Sequence, residues 1–418
     1  MRSLKLEVKE NIRIPYGRQW IDEADIEEVV EILKSDFLTQ GPKVEEFENK
    51  LASYCDSRYA VAVSNGTAAL HLACLAVNIK EGERVISTPN TFVASTNCVL
   101  FCGGKPEFID IDPRTANIDA EKIENFLGTL NYETIANTKA IIPVHFAGLP
   151  CNMNKIKEIA IKHDLIIIED ACHALGAEYK HNGEWFKVGS CKHSDMVVFS
   201  FHPVKHITTG EGGAILTNSL ELYEKLLSLR SHGITKDPQG FTNEYLAFDN
   251  TSSSGKKLPN PWYYEMHDLG YNYRITDIQC ALGISQLKRI NENIERRRSI
   301  TSMYNDAFKD LCGIQVPMET EKERSSCHLY VLQIDFEKIG KSRTGAMYEL
   351  RQKGIGTQVH YIPVYLQPYY KERFHYDSDN YPVTERYYNR CLSLPLYPKM
   401  NDSEVDYVIE QVLNIFKM

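Results

Sequence analysis

Between Tyr59 and Asn218 the chain alternates short runs rich in Val and Ile with segments of helical periodicity. That alternation predicts a mostly parallel sheet covered by helices on both faces. Strands are expected at 60–63, 84–87, 107–109, 140–144, 165–168, 196–201 and 214–217. Helix starts are marked by Asn65 or Thr67 before AALHLACLAV, by Asp119 before AEKIENFL, and by Asn152 before the run ending at His163. The connection from Phe201 to Gly213 has no helical pattern, and a parallel crossover needs a covering element, so the seventh strand is expected to run antiparallel to its neighbour.

Beyond Ser219 a helix is predicted to about Ser231, followed by a polar surface loop over 240–261. Thr276 then opens a long amphipathic segment reaching Phe308, with Ile278, Ala281, Leu282, Leu287 and Ile290 near helical spacing, expected to bridge two domains. After Gly313 a strand at 328–334, a helix at 344–353 and many tyrosines suggest a smaller α+β unit. The 418 residues exceed the usual size of one core. The expectation is a large domain over 12–257 and a smaller one over 258–418.

Hydrophobic residues at 43% and charged residues at 25% place the chain among ordinary globular proteins. The net charge of −9 gives no global attraction for nucleic acid or anionic lipid, so an anionic ligand needs a local device. The eleven cysteines lack framework spacing and MRSLKLEVKE lacks a signal-peptide core, which suggests a reducing cytoplasm. The longest apolar runs are too short to span a bilayer, so no membrane partner is expected.

The chemistry centres on Asp170, just past the apolar strand LIIIE, and Lys205 in SFHPVKHITTGEGGA. In an open α/β sheet, ligands bind beyond the carboxyl ends of the strands. A lysine that can form a Schiff base, paired with a carboxylate beside a pyridine nitrogen, is the combination a pyridoxal phosphate enzyme needs. SNGTAAL, residues 64–70, sits at a strand-to-helix junction whose free N–H groups suit a phosphate. TTGEGG at 208–213 matches neither the P-loop nor the Rossmann spacing, which disfavours a nucleotide hydrolase.

SNGTAALHLA, TPNTFVAST, LIIIEDACHALGA, FSFHPVKHITTGEGGA, RSHGIT, LGYNYRITDIQCALGISQLK and VHYIPVYLQP follow one another along the chain. In this order the sequence resembles the DegT and StrS group of nucleotide-sugar aminotransferases. Within it, IPYGRQWID, HPVKHITTGEGG, SHGITKD and VHYIPVYLQPYY most resemble the UDP-4-amino-4,6-dideoxy-N-acetyl-β-L-altrosamine transaminases of pseudaminic acid biosynthesis. The resemblance implies the fold-type I α/β architecture, a mostly parallel seven-stranded sheet plus a smaller C-terminal α+β domain. It also implies pyridoxal 5′-phosphate as cofactor, a nucleotide sugar as substrate and L-glutamate as amino donor. On it, Lys205 is the cofactor lysine and Asp170 the carboxylate on the pyridine nitrogen. Gly66, Thr67, Ala68 and Ser200 hold the phosphate, Phe92 stacks on the ring, and His173 takes the place of a common glutamine near the ring hydroxyl. Asn272 is implied to complete the site of a partner in a homodimer. Tyr16, Arg18, His360 and Tyr361 are implied to line the sugar-nucleotide pocket.

Singly, each of these residues also fits a structural role: Phe92 as core, Ser200 as a strand-end hydroxyl, Asn272 and Arg274 as caps of the helix begun at Thr276. Alternatives at the level of function are amination of another nucleotide sugar, such as a GDP-4-keto-6-deoxymannose or a 3-keto sugar, and a non-catalytic regulator. A third is the dehydratase branch of the group, which replaces the lysine by histidine and makes His206 a register check. Cys98 with Cys102, and Cys191 with His193, lack zinc-ligand spacing, so no metal is expected and the thiols read as buried and reduced. Arg296, Arg297 and Arg298 behind Glu292 and Glu295 read as a salt-laced helix face.

Overall fold

The computed structural model describes residues 13–249 and 257–416. Residue 12, where the large domain was expected to begin, the centre of the polar stretch at 250–256, and residues 417–418 lie outside them. All seven predicted strands form, as β1 (Tyr59–Val63), β2 (Arg84–Ser87), β3 (Lys105–Phe108), β4 (Thr138–Ile142), β5 (Ile166–Asp170), β8 (Met196–Ser200) and β9 (Gly213–Thr217). They make one sheet in the order β1-β9-β8-β5-β4-β2-β3. Strands β8, β5, β4, β2 and β3 are parallel, and β9 runs antiparallel to both β8 and β1. Because β9 reverses, β1 points the same way as β5 and β8, so the carboxyl ends of these three strands share one edge.

Alternation along the strands fills both faces. Ile86, Ile141, Ile167, Val197 and Leu216 enter one core, while Val85, Ile142, Ile168, Val198 and Ile215 enter the other. The covering helices begin where the caps predicted: Asn65, Asp119, Asn152 and Ser219 each accept a backbone N–H of the first turn. A hairpin between β5 and β8 was not anticipated. Strands β6 (Glu178–His181) and β7 (Glu184–Lys187) turn on Asn182 and Gly183, both at positive φ, and β6 pairs with Glu323–Arg324. Asn-Gly between two alternating runs is a hairpin signature that the sequence carried openly.

A third core surrounds the antiparallel strand Tyr330–Ile334, which pairs with Cys391–Leu394 and Ile314–Gln315. The segment begun at Thr276 is two helices, Asp277–Lys288 and Ile290–Phe308, instead of one. The chain breaks at Arg289 (φ −113°, ψ 13°), whose guanidinium is drawn to Asp22, Asp25 and the Trp20 carbonyl. Ile290 and Ile294 pack in the first core and Ile300, Tyr304 and Phe308 in the third.

The arginine run corrects the sequence reading. Arg296 pairs with Asp402 and Arg298 with Glu295, but Arg297 is 1% exposed and donates to the carbonyls of Cys327, His328 and Leu396 at 3.4, 3.2 and 3.0 Å. Arg297→Met leaves these buried carbonyls without a donor and is expected to lower stability by about 3 kcal/mol, read from urea unfolding. Among the described residues no helix is long and apolar enough to cross a membrane.

Candidate active site

The shared edge of β1, β5 and β8 opens into a cavity of about 800 Å³. Asp170 ends β5 and is 5% exposed. Its Oδ2 accepts the Ser95 hydroxyl at 2.6 Å and its Oδ1 accepts the Cys172 N–H at 3.1 Å. Ser95 is within 2.7 Å of the Thr91 hydroxyl, so the carboxylate is oriented by a short relay from the TPNTF loop.

Strand β1 leads into the helix Gly66–Ala76, whose first turn faces the cavity. The Asn65 side chain takes the Ala68 N–H at 2.8 Å, which corrects the expected role of Ala68 as a free backbone donor. Gly66 and Thr67 N–H find no acceptor in the described chain and point where an anion can be held. Ser200 closes the cup from the end of β8, and a Cβ on Gly66 would lie 2.9 Å from the Ser200 Cβ. Gly213 matters similarly: a Cβ there would sit 2.7 Å from the Asn65 carbonyl and 2.8 Å from the Gly66 nitrogen.

Lys205 sits in the tight connection after β8, its N–H bonded to the His202 carbonyl and the returning chain closed by Thr208 Oγ1 on the Phe201 carbonyl. Its amine lines the cavity and makes no hydrogen bond or ion pair with the described residues. Burial lowers its pKa from the ordinary lysine value, opposed by Cys172 and Asp170. More of the amine is thereby neutral and able to act as a base.

Histidines crowd this amine. His173 Nε2 bonds the Tyr361 hydroxyl at 3.1 Å, and its Nδ1 is buried without a partner among the described residues. The His328 ring lies 4.3 Å from that of His173 and 5.4 Å from that of His206. His360 bonds Ser393 at 2.7 Å and packs 5.6 Å from the Tyr16 ring. Burial, reinforced by nearby positive charge, holds His173, His206 and His328 well below the ordinary 6.5 and pushes His360 down to about 3. These rings stay neutral when folded but take up protons near pH 6.5 when unfolded, so acid favours unfolding. Their stabilisation is complete above that pH and falls below it, by up to about 1.4 kcal/mol per pH unit for each ring. Urea midpoints measured down to about pH 5.5 should show this slope, and His173→Gln should flatten it.

Of the residues singled out from sequence, the cavity gathers Tyr16, Gly66, Thr67, Ala68, Phe92, Asp170, His173, Ser200, Lys205, His360 and Tyr361. Phe92 is 58% exposed and lines the opening, so it is not core. Arg18 is exposed outside the cavity. Asn272 pairs its backbone with Ser231 and Arg274 with Val63; neither caps the following helix, which Thr276 and Gln279 cap together. Asn272 does not line this chain's own cavity. Ser95 and His328 are site residues that sequence reasoning missed: both are brought in by contacts far along the chain.

Residues 19–413 match the model of the DegT/DnrJ/EryC1/StrS aminotransferase family. The chain is 40% identical to the spore coat polysaccharide biosynthesis protein SpsC of Bacillus subtilis, covering 98% of each. It is 38% identical to a UDP-4-amino-4,6-dideoxy-N-acetyl-β-L-altrosamine transaminase of Campylobacter jejuni, covering 97% of this chain and 98% of that protein. The solved structure of Helicobacter pylori PseC, an aminotransferase of pseudaminic acid biosynthesis, superposes with a TM-score of 0.84 at 31% identity, covering 96% of this chain and 99% of that one. Solved relatives include a pyridoxal phosphate form. The chain thus belongs to the DegT/DnrJ/EryC1/StrS aminotransferase family, as a pyridoxal phosphate-dependent sugar aminotransferase.

Proposed function

We propose that the enzyme aminates C4 of UDP-2-acetamido-2,6-dideoxy-β-L-arabino-hex-4-ulose with L-glutamate as donor, in pseudaminic acid biosynthesis. The observation that carries the catalytic reading is the convergence of Lys205, Asp170 and the Gly66–Thr67 amides on one cavity of about 800 Å³. The names of the Campylobacter and Helicobacter relatives support the choice of sugar.

The residues present fit the cofactor. Two unclaimed N–H groups and the Ser200 hydroxyl suit its phosphate, the oriented Asp170 carboxylate suits a protonated ring nitrogen, and the unpartnered His173 Nδ1 suits a ring hydroxyl. When bound, pyridoxal phosphate supplies an aldehyde for an amine and a ring that accepts the electron pair left by a lost proton. Lys205 Nζ removes the α-proton of the amino donor, and in the return half-reaction delivers a proton to the carbon that becomes C4 of the aminosugar. Asp170 holds negative charge where positive charge must persist. Phe92 and Tyr361 wall the opening, and Tyr16 packs on His360 in the same cavity.

Lys205 lines the cavity, whereas His206 turns to the Ser326 carbonyl at 3.0 Å. That arrangement favours transamination over the dehydratase branch. Two copies sharing their sites through Asn272 form the working unit in this reading, supported by the exposed apolar side chains of Trp262, Tyr264, Met266 and Leu269 on the stretch leading to it. The free thiols suit a reducing cytoplasm.

The test is to prepare the pyridoxamine form and offer it UDP- and GDP-linked keto sugars, following the visible band of the restored pyridoxal form. Return of the band with the UDP-linked 4-keto sugar supports the assignment. A response confined to a GDP-linked or 3-keto sugar overturns it and leaves the aminotransferase assignment standing.

A further inference from the structure

A second cavity, of about 320 Å³, lies behind the wall that Phe146 and Leu329 make against the first. It opens between the helix Ile290–Phe308, the strand Tyr330–Ile334 and the turn at 146–149, and it contains none of the residues assigned to cofactor or sugar. The turn is stapled to the chain before the strand by the His328 and Ser326 N–H groups on the carbonyls of Ala147 and Gly148, at 2.8 and 3.1 Å. That staple separates the two cavities.

Arg298 and Glu319 border this space without meeting, and Arg114, which also lines it, is paired with Asp112. Arg298 spends its Nε on the Ser325 carbonyl and Nη1 on Glu295, while its Nη2 is buried with no partner among the described residues. Glu319 stands at the rim, where it accepts the Ser325 N–H at 2.9 Å. No ion pair joins Arg298 to Glu319; each bonds the Ser325 backbone instead. Tyr387 is 4% exposed and its hydroxyl also finds no partner among the described residues, and the apolar side chains of Leu149 and Val331 line the same cleft. Buried polar atoms in folded proteins are normally satisfied, so two orphans bordering one cleft mark a place for ligand atoms.

We propose that this cleft binds a small zwitterion, with a carboxylate and an ammonium on a compact apolar frame, at a site separate from the catalytic cavity. The carboxylate meets Arg298 Nη2, the ammonium meets Glu319, and the frame rests on Leu149 and Val331. The Tyr387 hydroxyl supplies a further donor. An L-amino acid has this chemistry. The reading concerns a surface the transamination does not use, and it stands or falls independently of the sugar substrate.

The experiment is calorimetric titration of the pyridoxal phosphate-loaded enzyme with L-proline, a zwitterion whose secondary amine is not a transamination donor. Matched titrations use tetrahydrofuran-2-carboxylate, which lacks the ammonium, and pyrrolidine, which lacks the carboxylate. Saturable binding of L-proline is expected, at least tenfold tighter than either analogue. Glu319→Gln and Ser302→Phe, the second placing a ring in the cleft mouth from an exposed helix position, are each expected to weaken it at least tenfold while melting temperature and sugar turnover hold. Absence of saturable binding, equal binding of an analogue, or binding that both variants retain overturns the proposal.

Discussion

Lys205→Ala is expected to reduce turnover by about 10⁴-fold or more while the protein still folds. The amine has no hydrogen bond or ion pair to lose among the described residues, so its removal is expected to leave the scaffold intact. What disappears is the lysine amine of the cavity whose pKa burial already lowers, and with it the group proposed to anchor the cofactor. Two measurements separate these losses. Absorption should show the visible band of the lysine-bound cofactor gone, and single-turnover assays with the pyridoxamine form should remain slow, because no other neutral amine stands in the site. The neighbouring His206 cannot substitute, being committed to the Ser326 carbonyl. A variant that keeps near-normal turnover would remove Lys205 from the mechanism.

Asp170→Asn is expected to cost about 10²–10³-fold in kcat, with a smaller effect on KM for the sugar. The substitution preserves shape but not charge. The amide oxygen can still accept from Ser95 or from the Cys172 N–H, so folding should hold, and the melting temperature should stay near that of the parent. The loss arises because a neutral amide cannot keep a pyridine nitrogen protonated, and that proton is what makes the ring an electron acceptor. Asp170→Ala should be worse in stability, since it leaves the buried Ser95 hydroxyl without its acceptor. Ser95→Ala is the milder probe of the same relay.

The sheet was legible because its central strands are buried on both faces and read as short apolar runs bounded by turn residues. Asp170 and Ser200 were legible for a related reason: both end such runs, at the edge where an open sheet binds its ligands. Arg297 was misread although the signal existed. Ile290, Ile294, Arg297, Tyr304 and Phe308 fall on one helical stripe, and the buried face of the helix includes all five. Three adjacent arginines drew attention to charge and away from period. His328 and Ser95 carry no local sign that they line the cavity. The first is delivered by a backbone bond to Ala147 and the second by its contact with Asp170, 75 residues on, so only the folded chain brings them in.

The two ends of the chain are laced across its cores, and this bears on how the enzyme can be re-engineered. Ile14 packs in the third core and pairs with Ile355, Leu396 N–H bonds the Tyr16 carbonyl, and β6 takes Glu323–Arg324 as an added strand. A chimera cut once near residue 257 would therefore separate Ile14 from its pocket and the hairpin from its third strand. An exchange of the C-terminal half between relatives that preserves these contacts has to carry the segment at Ile14–Tyr16 and the hairpin with it.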